Sequence, residues 1–255
     1  MHPIFIKIGN FVIYWYGVLV AIGIFIAVWL FQKDSLREGY EEKVISEIIF
    51  GTILSGIIGA RFLHILVNIH YYILHPLEII KIRNGGLAVE GAIIFSLIFL
   101  ILYTKIKRIL TLKLLDEIAI FVPVGQAIGR IGCFLNGCCY GKKTDFFLGV
   151  KFPFLDKKVH PSQLYYSFSY ILLFFLLYKL SKKFKKGEGF IFSIYLISFA
   201  IIRYFIDFLR GDLKETMWGL YSTQIIAILI FLFTGIFIIL KFLMKGGDKN
   251  GKISF

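Results

Sequence analysis

The sequence predicts an all-α, polytopic integral membrane protein with about seven transmembrane helices and a small extracytoplasmic loop region. Hydrophobic residues make up 58% of the 255 residues, and aromatic residues make up 18%. The mean hydropathy is +0.80, which is far more apolar than soluble globular domains. No internal repeat or low-complexity tract divides the chain. Residues 1–255 are therefore predicted to form a single membrane domain.

Each predicted span is an apolar run long enough for a helix to cross a bilayer, which takes about 20 residues. The spans cover residues 11–31, 44–67, 87–104, 114–135, 162–180, 190–209 and 221–240. Residues 1–10 are interpreted as a short amphipathic lead-in at the membrane surface. Residues 68–86 are interpreted as a loop that turns back towards the membrane. The first run lacks the short core and cleavage site of a signal peptide.

The distribution of basic residues predicts the orientation. The loops after spans one, three and five and the tail after span seven carry 16 Lys and Arg residues, whereas the N-terminal lead and the other loops carry 10. Because basic residues accumulate in cytoplasmic loops, we expect the N-terminus outside and the C-terminus in the cytoplasm of a bacterial inner membrane. The net charge of +13 is explained by these loops and by anionic membrane lipids, so no nucleic-acid partner is expected.

Polar residues that are unusual in lipid occur in six of the seven spans, and this topology assigns all of them to the outer half of the membrane. In chain order they are Tyr16, Arg61, Glu90, Arg130, Asn136, Arg203, Asp207, Arg210 and Gln224. Arg203 and Asp207 are four residues apart and share one helix face, so an ion pair within one helix is one reading of them.

The arginines in this set outnumber the acids. A surplus of guanidinium at one membrane depth calls for an anion, and phosphate suits arginine because it accepts two parallel hydrogen bonds. The phosphate available there is a phospholipid headgroup. The pattern predicts a lipid-phosphate site that faces outwards.

Three cysteines lie beside Arg130 at positions 133, 138 and 139. Their spacing differs from the C-x2-C pairs of zinc sites, so no metal is expected, although His160 could complete four ligands. Small apolar packing, a disulfide on an oxidising face and a nucleophilic thiol activated by Arg130 are the other readings.

The segment from Gly129 to Cys138 resembles the signature of the prolipoprotein diacylglyceryl transferase family, which runs Gly-Arg-x-Gly-Asn-Phe-x-Asn-x-Glu. The chain has Gly129, Arg130, Gly132, Phe134 and Asn136 at the matching positions. Further segments resemble family motifs in the family's order: Trp15-Tyr16-Gly17, Gly59-Ala60-Arg61, Gly85-Gly86-Leu87, His160-Pro161-Ser162-Gln163-Leu164-Tyr165, Arg203-x3-Asp207-x2-Arg210, and Gln224.

The resemblance implies transfer of the diacylglyceryl group of phosphatidylglycerol to the lipobox cysteine of a preprolipoprotein signal peptide. A thioether forms and glycerol phosphate leaves. It also implies essential roles for Arg130 and Arg203, and no cofactor. We expect Glu90 to act with them, and the substrate to be bound by Tyr16, Arg61, Gly129, Gly132, Asn136, Asp207, Arg210 and Gln224.

The chain departs from the family pattern at Glu90, Cys133 and Cys138. The family often has His or Tyr at the first position, and its signature has Asn and Glu at the other two. The departures concern the proton acceptor, for which Glu90 and Asp207 are the candidates. Two alternatives stay open: a paralogue that uses the same phospholipid site on another acceptor, and a non-enzymatic lipid or anion transporter.

Overall fold

A computed structural model of the chain describes residues 3–9, 11–81, 85–184, 188–214, 216 and 219–247. These residues contain seven helices that are long and apolar enough to cross a membrane. The helices are α1 (Trp15–Arg37), α2 (Glu42–Val67), the short α3 (Ile69–Leu74), α4 (Val89–Ile106), α5 (Thr111–Asn136), α6 (Ser162–Lys183), α7 (Phe190–Asp207) and α8 (Ser222–Gly247). The prediction of an all-α protein that crosses the membrane about seven times is confirmed.

Two short strands precede α1, where the sequence predicted a surface lead-in and the beginning of the first span. Strands β1 (Ile4–Ile8) and β2 (Phe11–Tyr14) pair in an antiparallel hairpin. Their residues are mostly β-branched or aromatic, which favours a strand, and Gly9 has the positive φ of 57° that the turn requires. The first helix therefore begins at Trp15 rather than at residue 11, and it continues to Arg37 instead of ending at residue 31.

Residues 32–114 form one compact unit, in which α2 packs against α4. The two backbones meet at glycines: a Cβ added to Gly59 would lie 2.4 Å from the carbonyl oxygen of Gly91, and one added to Gly91 would lie 2.2 Å from that of Gly59. Small residues permit such contact between membrane helices. The segment predicted as a loop holds α3 and a 3-10 turn (Pro76–Ile79), while its residues 82–84 lie outside the described part of the chain.

Residues 1–31 and 115–255 form the other compact unit. In it, α7 packs against both α6 and α8. The N-terminus of α7 is capped from α5, because the Asp116 carboxylate accepts the backbone N–H groups of Gly189 (3.0 Å) and Phe192 (2.9 Å). A carboxylate at this position satisfies free amide groups and complements the helix dipole.

The connection between α5 and α6 is an ordered loop. Phe152 is fully buried in it and contacts the rings of Phe134 and Tyr140, with centroids 5.8 and 6.0 Å away. The backbone N–H of Lys142 donates to the carbonyl of Leu209 (2.6 Å). This contact ties the loop after α5 to the residues that follow α7, and so brings the polar ends of both helices together.

The close contact between α2 and α4 predicts the effect of one added methyl group. We expect Gly59→Ala to lower the free energy of unfolding by about 2 kcal/mol, because the helices must move apart to admit the Cβ. The matched control is Gly235→Ala in α8, where an added Cβ would meet nothing within 4 Å and should stabilise the helix by up to about 1 kcal/mol. Unfolding by denaturant in mixed micelles measures both. Equal stability of the two variants would refute this packing.

Candidate functional site

Arg61 lies in the unit formed by residues 32–114, and its guanidinium is engaged by the backbone. Its Nε donates to the carbonyl of Ile79 (2.9 Å), and Nη1 donates to the carbonyls of Gly85 (2.9 Å) and Gly86 (3.1 Å). Nη2 donates to the carbonyl of Glu78. With only 7% of Arg61 exposed, we expect it to order this loop rather than to hold a phosphate.

Arg210 lies in the other unit and is matched by a carboxylate in a bidentate arrangement. Its Nε and Nη2 donate to the two oxygens of Asp212 at 2.9 and 2.7 Å. Burial alone would lower the pKa of Arg210, but the hydrogen bonds to Asp212 and the nearby charge of Asp207 raise it above its usual value. The group is therefore a permanent cation whose best hydrogen-bonding edge is already occupied.

Asp207 is a fully buried carboxylate that connects three helices. It accepts hydrogen bonds from the hydroxyl groups of Tyr166 on α6 (2.6 Å) and Thr223 on α8 (2.5 Å). Its oxygens also lie 3.7 Å from Nε of Arg203 and 3.8 Å from Nη1 of Arg210. These contacts join α6, α7 and α8 at one carboxylate.

Arg203 is attached to this centre by charge, without a hydrogen bond to the acid. Its Nε is buried and has no hydrogen-bond partner among the described residues, and the 3.7 Å distance to Asp207 exceeds hydrogen-bond length. Its guanidinium carbon lies 5.8 Å from the ring centroid of Phe199, and 24% of the side chain is exposed. Arg203 therefore retains donors for a ligand.

Arg130 is held on an aromatic face. Its guanidinium carbon lies 4.1 Å from the ring centroid of Tyr166, a close cation–π contact. Tyr170 stacks on Tyr166 at 5.8 Å and lies within electrostatic range of both Arg130 and Arg203. No carboxylate pairs with Arg130 in the described part of the chain. Arg130 and Arg203, which both keep N–H donors for a ligand, thus lie beside the same pair of tyrosines.

The predicted glycines and Tyr16 lie where α1 meets α5. A Cβ added to Gly132 would lie 3.3 Å from the Cα of Tyr16, and one added to Gly129 would lie 3.8 Å from the side chain of Val20. Gly132 therefore allows the close approach of α1, whereas a Cβ at Gly129 would make an ordinary contact. The Tyr16 side chain is 41% exposed and lies within electrostatic range of Arg130, so it can reach a ligand there.

The other predicted site residues differ in whether their side chains are exposed and free to contact a substrate. Asn136 is exposed at the end of α5, and Glu90 is exposed at the beginning of α4 in the other unit. Gln224 is fully buried: its Oε1 accepts the N–H of Tyr221 (3.0 Å), and its Nε2 donates to the carbonyl of Tyr204 (3.1 Å). We expect Gln224 to join α7 to α8 rather than to bind substrate.

The three cysteines are free thiols whose sulfur atoms lie within 4.8 Å of one another. As a thiol, Cys138 donates to the carbonyl of Cys133 (3.6 Å). When Cys138 is ionised, its thiolate accepts hydrogen bonds from the thiols of Cys133 and Cys139. These hydrogen bonds hold the pKa of Cys138 below its usual range. His160 is directed elsewhere, because its Nδ1 hydrogen-bonds to the hydroxyl of Tyr165 (3.2 Å).

Sequence reasoning missed Tyr166, Tyr170, Thr223 and Asp212. A signal for the tyrosines was present, since they are four residues apart in an apolar helix and so share one face. No comparable signal existed for Thr223 or Asp212, because a hydroxyl or a carboxylate near a helix end is ordinary. Their roles depend on which helices are neighbours.

The chain is similar to known proteins over most of its length. The family model of prolipoprotein diacylglyceryl transferase matches residues 3–240. A phosphatidylglycerol–prolipoprotein diacylglyceryl transferase of Clostridium tetani is 40% identical over 93% of this chain and 96% of its own length. Proteins of the same name from Finegoldia magna and Bacillus cytotoxicus are 34% and 33% identical over at least 93% of this chain.

The position of Asp207 predicts a large loss of stability when its charge is removed. We expect Asp207→Asn to lower the free energy of unfolding by about 3 kcal/mol, because Arg203 and Arg210 lose their shared buried counter-charge. Asp145→Asn, at an exposed loop position, is the matched control and should change stability by less than about 0.5 kcal/mol. Thermal unfolding of the purified proteins in detergent distinguishes them, and a stable Asp207→Asn variant would contradict the central role of this carboxylate.

Proposed function

The chain belongs to the prolipoprotein diacylglyceryl transferase family, and from this premise we propose how its residues carry out the transfer. The protein is a multi-pass membrane transferase that acts in the first step of lipoprotein lipidation. Its substrates are phosphatidylglycerol and a prolipoprotein. We propose that the acceptor atom is the sulfur of the lipobox cysteine in the signal peptide.

The observation that carries the site assignment is the division among the four arginines. Arg61 and Arg210 have their main hydrogen-bonding groups engaged within the protein. Arg130 and Arg203 are held beside aromatic rings and keep donors for a ligand. We propose that these two bind the phosphate of phosphatidylglycerol.

Charge in the unit of residues 1–31 and 115–255 supports the same ligand. The centre has three guanidinium groups, of Arg130, Arg203 and Arg210, and two carboxylates, of Asp207 and Asp212. With the three cysteines as neutral thiols, the surplus is one positive charge, and a phosphodiester carries one negative charge. In a site of low dielectric this match favours the lipid headgroup over a neutral ligand.

In the proposed reaction, the thiolate of the acceptor cysteine attacks the glyceryl carbon that bears the phosphate. A carbon–sulfur bond forms as the carbon–oxygen bond to the phosphate breaks, and glycerol phosphate leaves with the electron pair. Arg130 and Arg203 stabilise the charge that develops on this leaving group. Tyr16 and Asn136, both exposed, are proposed to orient the lipid or the peptide.

The thiol proton requires an acceptor before or during the attack. Glu90 is our proposal, because it is an exposed carboxylate near the beginning of α4. Asp207 is less suitable, since it is fully buried and accepts two hydrogen bonds within the protein. We further propose that residues 1–255 form a single membrane domain.

The phosphate assignment predicts severe losses for two single variants. We expect Arg130→Ala and Arg203→Ala each to lower the transfer rate at least about 100-fold, because each removes a charged donor from the leaving group. Arg130→Lys should not restore the rate, since lysine lacks the planar fork that binds phosphate at two points. Arg37→Ala, at an exposed position in α1, is the matched control.

The assay uses purified protein, phosphatidylglycerol labelled in its diacylglyceryl group, and a lipobox peptide with cysteine or serine at the acceptor position. Thioether product with the cysteine peptide alone supports the assignment. Release of glycerol phosphate without peptide labelling would point to a paralogue with another acceptor. Full activity of Arg130→Ala in a depletion strain would overturn the role of Arg130.

The charge distribution also predicts the orientation, which we propose as N-terminus outside and C-terminus in the cytoplasm. Positively charged loops stay in the cytoplasm during insertion. Reporter domains that are active only on one side of the membrane, fused after residue 247 and in the loop 142–158, should report the cytoplasm and the outer side respectively. The opposite pattern would reverse the assignment.

A further inference from the structure

The three cysteines are brought together by the fold and not by their spacing alone. Their sulfur atoms all lie within 4.8 Å of one another. Around a metal ion with a metal–sulfur bond of about 2.3 Å, ligand sulfurs lie roughly 3.8–4.0 Å apart in tetrahedral or trigonal geometry. Side-chain shifts of less than about 1 Å would therefore convert this cluster into a three-sulfur coordination shell.

The backbone that carries two of the thiols is held in place by α6. Ser162 Oγ donates to the carbonyl of Cys139 (2.6 Å), and Gln163 Nε2 donates to the carbonyl of Cys138 (2.6 Å). Both side chains are fully buried. The Gln163 amide also has a buried Oε1 with no hydrogen-bond partner among the described residues. The amide group thus lies beside the backbone of Cys138 with its oxygen available as an acceptor.

Cys139 has a backbone conformation that is unfavourable for a residue with a side chain. Its φ is 61°, in the left-handed region that costs a non-glycine residue about 1 kcal/mol or more. Glycine would fit this turn better on backbone grounds. Cysteine at this position instead directs a third sulfur into the cluster.

The electrostatic surroundings favour anionic sulfur. Arg130 lies within electrostatic range of Cys133 and Cys139, and Arg210 lies within range of Cys139. Three thiolates carry more negative charge than one soft cation neutralises, and neighbouring guanidinium groups offset the excess. The same guanidinium groups repel any cation that the sulfur ligands do not bind strongly. Hard divalent cations are therefore disfavoured at this site.

We propose that Cys133, Cys138 and Cys139 form a binding site for one soft, thiophilic metal ion of the Zn²⁺ or Cu⁺ class. Thiolates select these ions over Mg²⁺ and Ca²⁺. Any proton still on a ligating thiol is released to solvent as the metal–sulfur bond forms. The spacing of the cysteines gave no reason to expect a metal, since it does not follow a zinc motif; the site depends on the tertiary arrangement.

The test uses the full-length protein in detergent, reduced and free of oxygen. It is titrated separately with Zn²⁺, Cu⁺ and, as a spectroscopic probe, Cd²⁺. We expect one ion per chain after desalting, a thiolate-to-Cd²⁺ charge-transfer band that saturates at one equivalent, and a rise in Tm because the ion binds the folded state more tightly than the unfolded chain. The Zn²⁺ and Cu⁺ titrations, each in competition with a chelator of known affinity, identify the preferred ion.

The variants Cys133→Ser, Cys138→Ser and Cys139→Ser are nearly isosteric, and the chain contains no other cysteine. Each should weaken binding more than about 100-fold, since even an outer-shell partner contributes 10- to 100-fold. His70→Ala, at an exposed position, should bind normally. Absence of the band, binding that survives in the serine variants, or a disulfide in protein isolated with its thiols trapped would overturn the proposal.

Discussion

The carboxylate of Asp207 is the constraint on which the rest of the site depends. Because Asp207 has no access to water, its hydrogen-bond donors must come from the protein. Each adjacent helix supplies one of them. Tyr166 on α6 and Thr223 on α8 supply the hydroxyl groups. The tyrosine that donates to Asp207 also presents its ring to Arg130. One buried charge thereby fixes the positions of both arginines that are proposed to bind phosphate.

The membrane setting explains why aromatic rings surround these cations. A guanidinium in an apolar helix must find compensation, but a full complement of carboxylates would leave nothing for a ligand. A ring offers a weaker, directional attraction that positions the cation without occupying its N–H groups. Arg130 and Arg203 use this arrangement, whereas Arg61 and Arg210 are compensated by carbonyls and by Asp212. The first pair is the one proposed to bind phosphate, and the second pair holds neighbouring parts of the protein.

The sequence departs from the family signature in the segment where the structure collects the thiols. Cys133 and Cys138 stand where the family has Asn and Glu, and Cys139 adds a third sulfur in an unfavourable backbone conformation. With cysteine at position 138, residues 129–141 contain no carboxylate beside Arg130. Thiolates bound to a soft cation would return negative charge to the same place, which gives the substitutions a common physical rationale.

The sequence by itself determined the membrane class, the seven spans and the presence of arginines within or at the ends of three of them, because hydropathy and charge are properties of the chain. It did not predict the hairpin before Trp15, where strand propensity and pairing outweigh apolar length. Only the tertiary structure decided which polar residues are free, since that depends on neighbours from distant segments. In the sequence, Gln224 and Arg61 resemble site residues, but in the folded protein their side chains form hydrogen bonds with backbone groups. Tyr166 is important only because the fold places it between Asp207 and Arg130.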